Sequence, residues 1–355
     1  MTRRASYVPI LKGRQGEFLA LSTINDATAE AIRPLVELVP KGERGDREAV
    51  RTSCDKTADT LGDHWGDRPA FLDAGLLDQS IQFGDGGPLL RATRRTTEQW
   101  GVKAIPVLRI DDPPLALQDV AKLNAEFDCG LCIRLVGEDL DREPEELEEA
   151  FQLLIGPCQI QRTDVDVVVD VGAIESEQMV RAFARMLRSI VRDLEEMGPW
   201  RSLVVASGAF PVDLSAYAPG VIGERSRLDA DLWAQLVARG RFDGTIDFGD
   251  YVIAHPLLGA GVPFIAAPQL RYTTADRWLI LKGRRNDPAG NEQFYTICQT
   301  VADHEEFAGA ALGAADARIA NPRAHGPGNA TTWRQVGTAH HLDFVALRLA
   351  RFGEP

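Results

Sequence analysis

Residues 165–171 read VDVVVDV, a valine run interrupted only by Asp166 and Asp170. Strands covered on both faces read as near-continuous apolar runs, so this stretch predicts an interior strand of a parallel sheet, not a half-wet antiparallel one. Working outward, seven more runs have the same character: 7–12 (YVPILK), 33–39 (RPLVELV), 69–73 (PAFLD), 104–110 (AIPVLRI), 130–135 (GLCIRL), 202–207 (SLVVAS) and 245–251 (TIDFGDY). Segments with helical spacing separate them, at 17–31, 46–61, 89–100, 115–127, 144–154, 175–197 and 228–239. Strict alternation of strand and helix is the signature of the α/β class. Eight such units in about 250 residues match a (β/α)8 TIM-like barrel. An open doubly wound sheet is the rival, but Lys12-Gly13-Arg14-Gln15-Gly16 after the first run has neither dinucleotide-binding nor Walker spacing.

Most runs stop at a charged or hydroxyl residue: Lys12, Glu37, Asp73, Arg109, Arg134, Asp170, Ser207 and Asp247. In a parallel barrel these ends surround one opening, the face that carries active sites in this fold. Side chains alternate between the barrel interior and the helix layer. Parity places Lys12 inward with Val8 and Ile10, Arg109 with Ile105 and Val107, Asp73 with Phe71, Asp170 with Val168, and Ser207 with Val205. The same parity turns Arg33 and Asp166 inward at the opposite end.

Two readings of the rim stay open. Lys12, Glu37, Asp73, Asp170 and Asp247 form a candidate catalytic set, with Arg109, Arg134, Ser207, Asp250, Tyr251, Arg271 and Tyr272 as candidate ligand contacts. Arginines grip phosphate through paired hydrogen bonds, and carboxylates facing cations suit a magnesium-assisted phosphate site. The expected ligand is thus an anionic, phosphate-bearing small molecule, a nucleotide among the options. Lys12 could instead form a Schiff base with a carbonyl. The contrasting reading is a structural lattice in which the charges pair among themselves.

The chain of 355 residues is 45% hydrophobic and 26% charged, with net charge -13. No apolar stretch is long enough for a bilayer, so no membrane contact is expected. The acidic balance makes nucleic acid an unexpected partner. Met1-Thr2-Arg3-Arg4 lacks a following apolar region, so no secretory signal is expected, and five scattered cysteines fit the cytoplasm. Cys129 and Cys132 have redox spacing, but on a strand they lie about 10 Å apart on opposite faces, too far for a disulfide. His340 and His341, adjacent on a helix, point about 100° apart and suit no shared metal. His255 is the histidine expected nearest the opening.

Beyond the barrel at 1–267, residues 268–355 read as an extension packed on it within the same structural domain. QLRYTT at 269–274 and WLILKG at 278–283 form a β-hairpin, helical sequence follows over 291–320, and a last helix runs through Trp333, His340 and Leu347.

The opening YVPILKGRQGEFLAL at 7–21, PLVEL at 34–38, FGDY at 248–251, LRYT at 270–273 with WLILKG at 278–283, Trp333-Arg334 and His340-His341 together resemble the beta protein family. That family is named after a tailed-phage protein and is widespread in bacteria. The resemblance implies no particular reaction, cofactor or catalytic residue. Its distribution implies a role in phage–host conflict, and so a second expectation: a noncatalytic module that binds a protein partner in phage defence or counter-defence.

Overall fold

The computed structural model describes residues 6–43, 45–257 and 267–355. Met1 to Arg4 and the last residues before the 267/268 boundary lie outside them. The barrel strands are β1 (Tyr7–Leu11), β2 (Leu35–Glu37), β3 (Pro69–Asp73), β4 (Lys103–Leu108), β5 (Leu131–Val136), β6 (Val165–Ala173), β7 (Ser202–Gly208) and β9 (Ile246–Asp250). All pair in parallel and close in the order β1-β2-β3-β4-β5-β6-β7-β9. The remaining strands β8 (Gly223–Ser226), β10 (Gln269–Thr273) and β11 (Arg277–Lys282) form an antiparallel sheet in the order β10-β11-β8.

Helices α1 (Gln15–Leu21), α2 (Asp26–Ala31), α3 (Arg47–Trp65), α4 (Pro88–Trp100), α5 (Pro114–Phe127), α6 (Pro144–Ile155), α7 (Glu177–Met197) and α8 (Leu228–Arg239) surround the barrel. Helices α9 (Gln293–Ala302), α10 (Ala314–Ala320) and α11 (Ala330–Phe352) complete the C-terminal layer.

Three apolar cores follow from this layering. Val8, Ile10, Leu35, Phe71, Ile105, Val107, Cys132, Val168, Val204, Ala206 and Tyr251 fill the barrel. Residues of opposite parity, such as Val36, Leu72, Ile133, Val167 and Phe248, pack under the helices. Leu270, Tyr272, Leu279, Phe294, Trp333 and Val336 form the third core, between the antiparallel sheet and α9–α11.

The structure revises the sequence reading in three places. The helical stretch 17–31 is two helices, because the chain turns at Ser22–Asn25 and the Asn25 side chain accepts from the Thr28 N–H at 2.9 Å to start α2. Strand β8, sequence GERS, has no apolar run to announce it; it joins the hairpin by pairing with β11. The stretch 291–320 divides into α9 and α10 around Gly309, whose φ of 90° no helix can accommodate.

Helix α11 binds the extension to the barrel by lying against α1. A Cβ at Gly16 would sit 2.6 Å from the Thr331 carbonyl oxygen and 2.9 Å from Arg334 Cβ. Gly16→Ala must therefore part the two helices, at a cost of about 1–3 kcal/mol. Urea unfolding that leaves the midpoint unchanged would show that the helices do not approach this closely.

Candidate functional site

Arg134 stands at the centre of the barrel's C-terminal mouth. Leu131–Val136 alternates strictly, so Ile133 and Leu135 face the helices while Cys132 and Arg134 face inward. The guanidinium reaches the ends of three other strands. Nη1 lies 2.9 Å from Glu37 Oε1 and 2.5 Å from Asp73 Oδ2; Nε and Nη2 lie 3.1 and 2.6 Å from Asp170 Oδ2. Nη2 also donates to Tyr251 Oη at 2.7 Å, and the Tyr251 hydroxyl donates to Asp170 Oδ2 at 2.6 Å. Burial opposes the Arg134 charge, but Tyr251 and the carboxylates of Asp170, Glu37 and Asp73 outweigh it and hold the guanidinium charged.

Two further cations complete the set. Lys12 Nζ is 2.5 Å from Glu37 Oε2, donates to the Pro256 carbonyl and lies 4.9 Å over the Tyr251 ring. Arg109 Nη2 pairs with Asp73 Oδ2 at 2.8 Å. Lys12, Arg109 and Arg134 thus meet Glu37, Asp73 and Asp170 in equal number, which is the lattice arrangement of the two weighed from the sequence. Lys12 Nζ is engaged by the Glu37 carboxylate and the Pro256 carbonyl.

The Arg109 corner is the open part. Its side chain is 22% exposed, against 3% for Lys12 and 2% for Arg134. Gly75 makes the corner possible, since a Cβ there would lie 2.4 Å from the Arg109 guanidinium carbon. Arg109 Nε is buried and has no hydrogen-bond partner among the described residues. Asp112, three residues on, accepts from the Arg109 N–H at 2.9 Å and from the Gln79 amide at 2.6 Å. Burial pushes the Asp112 carboxyl up to about 6, with the Asp73 charge adding to the effect. Asp73 goes the other way: burial would raise it, but Arg109 and Arg134 hold it at about 2. The two carboxyls at this corner thus differ in proton affinity, Asp112 raised by burial and Asp73 held down by its arginines. Asp112 was missed in the sequence because it lies beyond the run that ends at Arg109.

Four expected site residues fall elsewhere, and a fifth, Arg271, lies apart from the Arg134 cluster. Asp247 is near the start of β9, at the opposite end of the barrel, where it accepts from the Ser6 N–H at 2.8 Å. Ser207 faces the helix layer, because Val204 and Ala206 are the inward residues of β7; the parity placing Val205 inward is off by one. Asp250 shares the outward face of Phe248 and meets His341 of α11. Tyr272 stacks on His340 with ring centroids 3.8 Å apart and bonds Asp316, inside the C-terminal core. Arg271 is on the rim, donating to the Ile253 carbonyl at 2.6 Å. Arg33 and Asp166 do pair at the far end, at 3.1 Å.

The histidines are placed by the same layering. His340 bonds Asp316 at 2.9 Å and the Thr273 carbonyl at 2.8 Å; His341 bonds Thr273 Oγ1 at 2.8 Å and Asp250 at 2.8 Å. They straddle β10 and neither enters the mouth. His255 and Pro256 do lie by Lys12. All five cysteines are free.

A magnesium ion needs carboxylate oxygens that are not already taken. Asp73 Oδ1 accepts from the Gly75 N–H and Asp170 Oδ1 from the Gly172 N–H, while their other oxygens and both of Glu37 face cations. No cluster of three or more His, Cys, Asp or Glu side chains among the described residues is arranged to hold a metal. The donor set does not fit magnesium, and no step through it follows.

The fold and mouth define a closed eight-stranded parallel barrel with an antiparallel sheet and helical layer on one side. The sequence profile of the Beta protein family matches residues 7–347, and the chain belongs to that family. A comparison with curated proteins finds no match. Among solved structures, a GH18 chitinase from Pseudoalteromonas aurantia is similar at 10% identity, covering 58% of this chain and 94% of the chitinase with TM-score 0.36. The arginine decarboxylase of Paramecium bursaria Chlorella virus, bound to agmatine, is similar at 9% identity, covering 71% of this chain and 65% of the decarboxylase, TM-score 0.35. The Vibrio vulnificus lysine/ornithine decarboxylase shows 14% identity over 70% of this chain and 56% of its own, TM-score 0.33. This chain therefore spans less than two thirds of either decarboxylase. Likeness this slight carries no functional argument, and the barrel rests on its own strand pairing. No helix among the described residues is long and apolar enough to cross a membrane.

Proposed function

We infer that the protein binds a phosphate-bearing small molecule at the C-terminal face of the barrel, in the cytoplasm, with Arg109 as the contacting cation. The observation that supports this is the exposure of Arg109 beside Asp112, while Lys12 and Arg134 are sealed beneath by their own counter-ions. The Arg109 side chain, partly exposed, can meet a phosphate oxygen from the solvent side while Nη2 stays on Asp73. Any reaction here runs through Asp112, which near neutral pH can release or take up a proton.

A thermal-unfolding panel of inorganic phosphate, sugar phosphates and nucleotides tests the reading, since a ligand that binds only the folded state raises the melting point. Arg109→Ala is expected to weaken the best stabiliser roughly 10- to 100-fold, the worth of a charge-assisted hydrogen bond. Asp112→Asn should keep binding and lose any turnover. Equal stabilisation of wild type and Arg109→Ala by every compound would defeat the assignment.

The complete pairing of the inner charges favours one other reading, a noncatalytic module that captures a protein partner in phage defence or counter-defence. Loss of phage resistance on mutating the exposed C-terminal layer, with Arg109→Ala silent, would select it.

A further inference from the structure

A second group of cations stands on the rim above β1, outside the paired lattice. Arg14 follows β1, Arg271 projects from β10 and Arg334 from α11. Glu17 ties two of them together: Oε2 accepts from the Arg14 backbone N–H at 3.1 Å and Oε1 from Arg334 Nη1 at 3.3 Å. Among the described residues Arg271 donates to neutral acceptors, the Ile253 carbonyl at 2.6 Å and Gln269 Oε1 at 3.4 Å, with its guanidinium 4.7 Å over the Phe210 ring. The segments outside the described residues cannot supply a counter-ion, because 1–5 (MTRRA), 44 (R) and 258–266 (LGAGVPFIA) contain no Asp or Glu.

Positive charge therefore accumulates here on a chain of net charge -13. Burial first, and then Arg334 and Arg14, push the Arg271 guanidinium down to about 9, against the pull of Glu17. Lys41 adds to the group: burial, Lys56 and Arg14 lower it, and Glu17 is again the opposing charge. A buried guanidinium with no carboxylate in hydrogen-bond contact is costly, and an external oxyanion removes that cost.

We propose that Arg14, Arg271 and Arg334 form an anion site for the phosphate group of a small molecule, distinct from the Arg109 corner. Arg271 and Arg334 are brought together where α11 crosses β10, a Cβ at Gly337 lying 2.9 Å from the Arg271 carbonyl oxygen, and with the Arg14 charge beside them they suit a tetrahedral oxyanion with several acceptor oxygens. The site lies beside β1, three strands round the barrel from Arg109 on the β4 end, and does not depend on the Arg109 reading.

Calorimetric titration of the full chain with pyrophosphate at low salt tests the proposal. Wild type should show an equivalent of binding that Arg14→Gln and Arg334→Gln each weaken at least about tenfold, that Arg271→Met removes, and that Arg109→Ala retains. If Arg271→Met fails to fold, the other two variants decide. No heat with pyrophosphate in the millimolar range, or the same affinity in wild type, Arg14→Gln and Arg334→Gln, would overturn the site. Tighter occupancy by a single-stranded oligonucleotide than by pyrophosphate would overturn the small-molecule assignment in favour of nucleic acid.

Discussion

Arg134→Met is expected to destabilise the protein by about 3–5 kcal/mol at neutral pH, the cost of removing one member of a buried ion-pair cluster. The loss exceeds that of an ordinary cavity because Glu37, Asp73 and Asp170 would then face one another with only Lys12 and Arg109 at the edges. Like-charged carboxylates without their shared cation have raised proton affinities in the folded state. The variant's deficit should therefore shrink as pH falls and these groups take up protons. Urea unfolding across a pH series measures both effects. A variant as stable as wild type, or a deficit constant with pH, would mean that Arg134 does not neutralise the three carboxylates.

The second large effect belongs to Asp250, which joins the barrel to α11. Its carboxylate accepts from Tyr7 Oη at 2.6 Å, His341 Nε2 at 2.8 Å and the Val252 N–H at 2.9 Å, with Arg227 3.9 Å away. Burial alone would raise the carboxyl, but His341, Arg227 and the Tyr7 hydroxyl bring it below the ordinary carboxylate range. For an acid held below its unfolded value, the stabilisation is present above that unfolded value, about 4, and is lost as pH falls through the folded one. Asp250→Ala strands Tyr7, His341 and Arg227 and should cost about 3–5 kcal/mol at pH 7. Compared with wild type, the difference should fade below pH about 4 as Asp250 itself protonates. A difference that persists undiminished in acid would assign the loss to packing.

The barrel was legible because its strands are buried on both faces and so read as apolar runs, with the polar ends marking one rim. Lys12, Glu37, Asp73, Arg109, Arg134 and Asp170 do meet at the mouth. Parity misplaced Ser207, since one residue of slip exchanges the two faces of a strand. Asp250 sits one residue from the inward Tyr251 and so belongs to the other layer. Whether the rim charges bind a ligand or one another was not readable, because alternation gives direction but not reach. Arg14, Arg227 and Arg334 were invisible as functional or buried charges: each lies outside the barrel runs, and their partners come from other elements, Glu17 of α1 for Arg334 and Asp229 of α8 with the hairpin's Thr274 and Trp278 for Arg227. Strand β8 left no apolar trace because it is a short polar strand at the sheet edge.

The most direct measurement is the arginine side-chain Nε–H spectrum of the 15N-labelled protein, with Arg109 and Arg134 assigned through lysine variants, during titration with inorganic phosphate. The Arg109 signal should move with saturable dependence while the Arg134 signal, locked to Asp170, stays in place. Movement of Arg134 with Arg109 unchanged would contradict the account, making the central lattice the ligand site and the exposed corner a bystander.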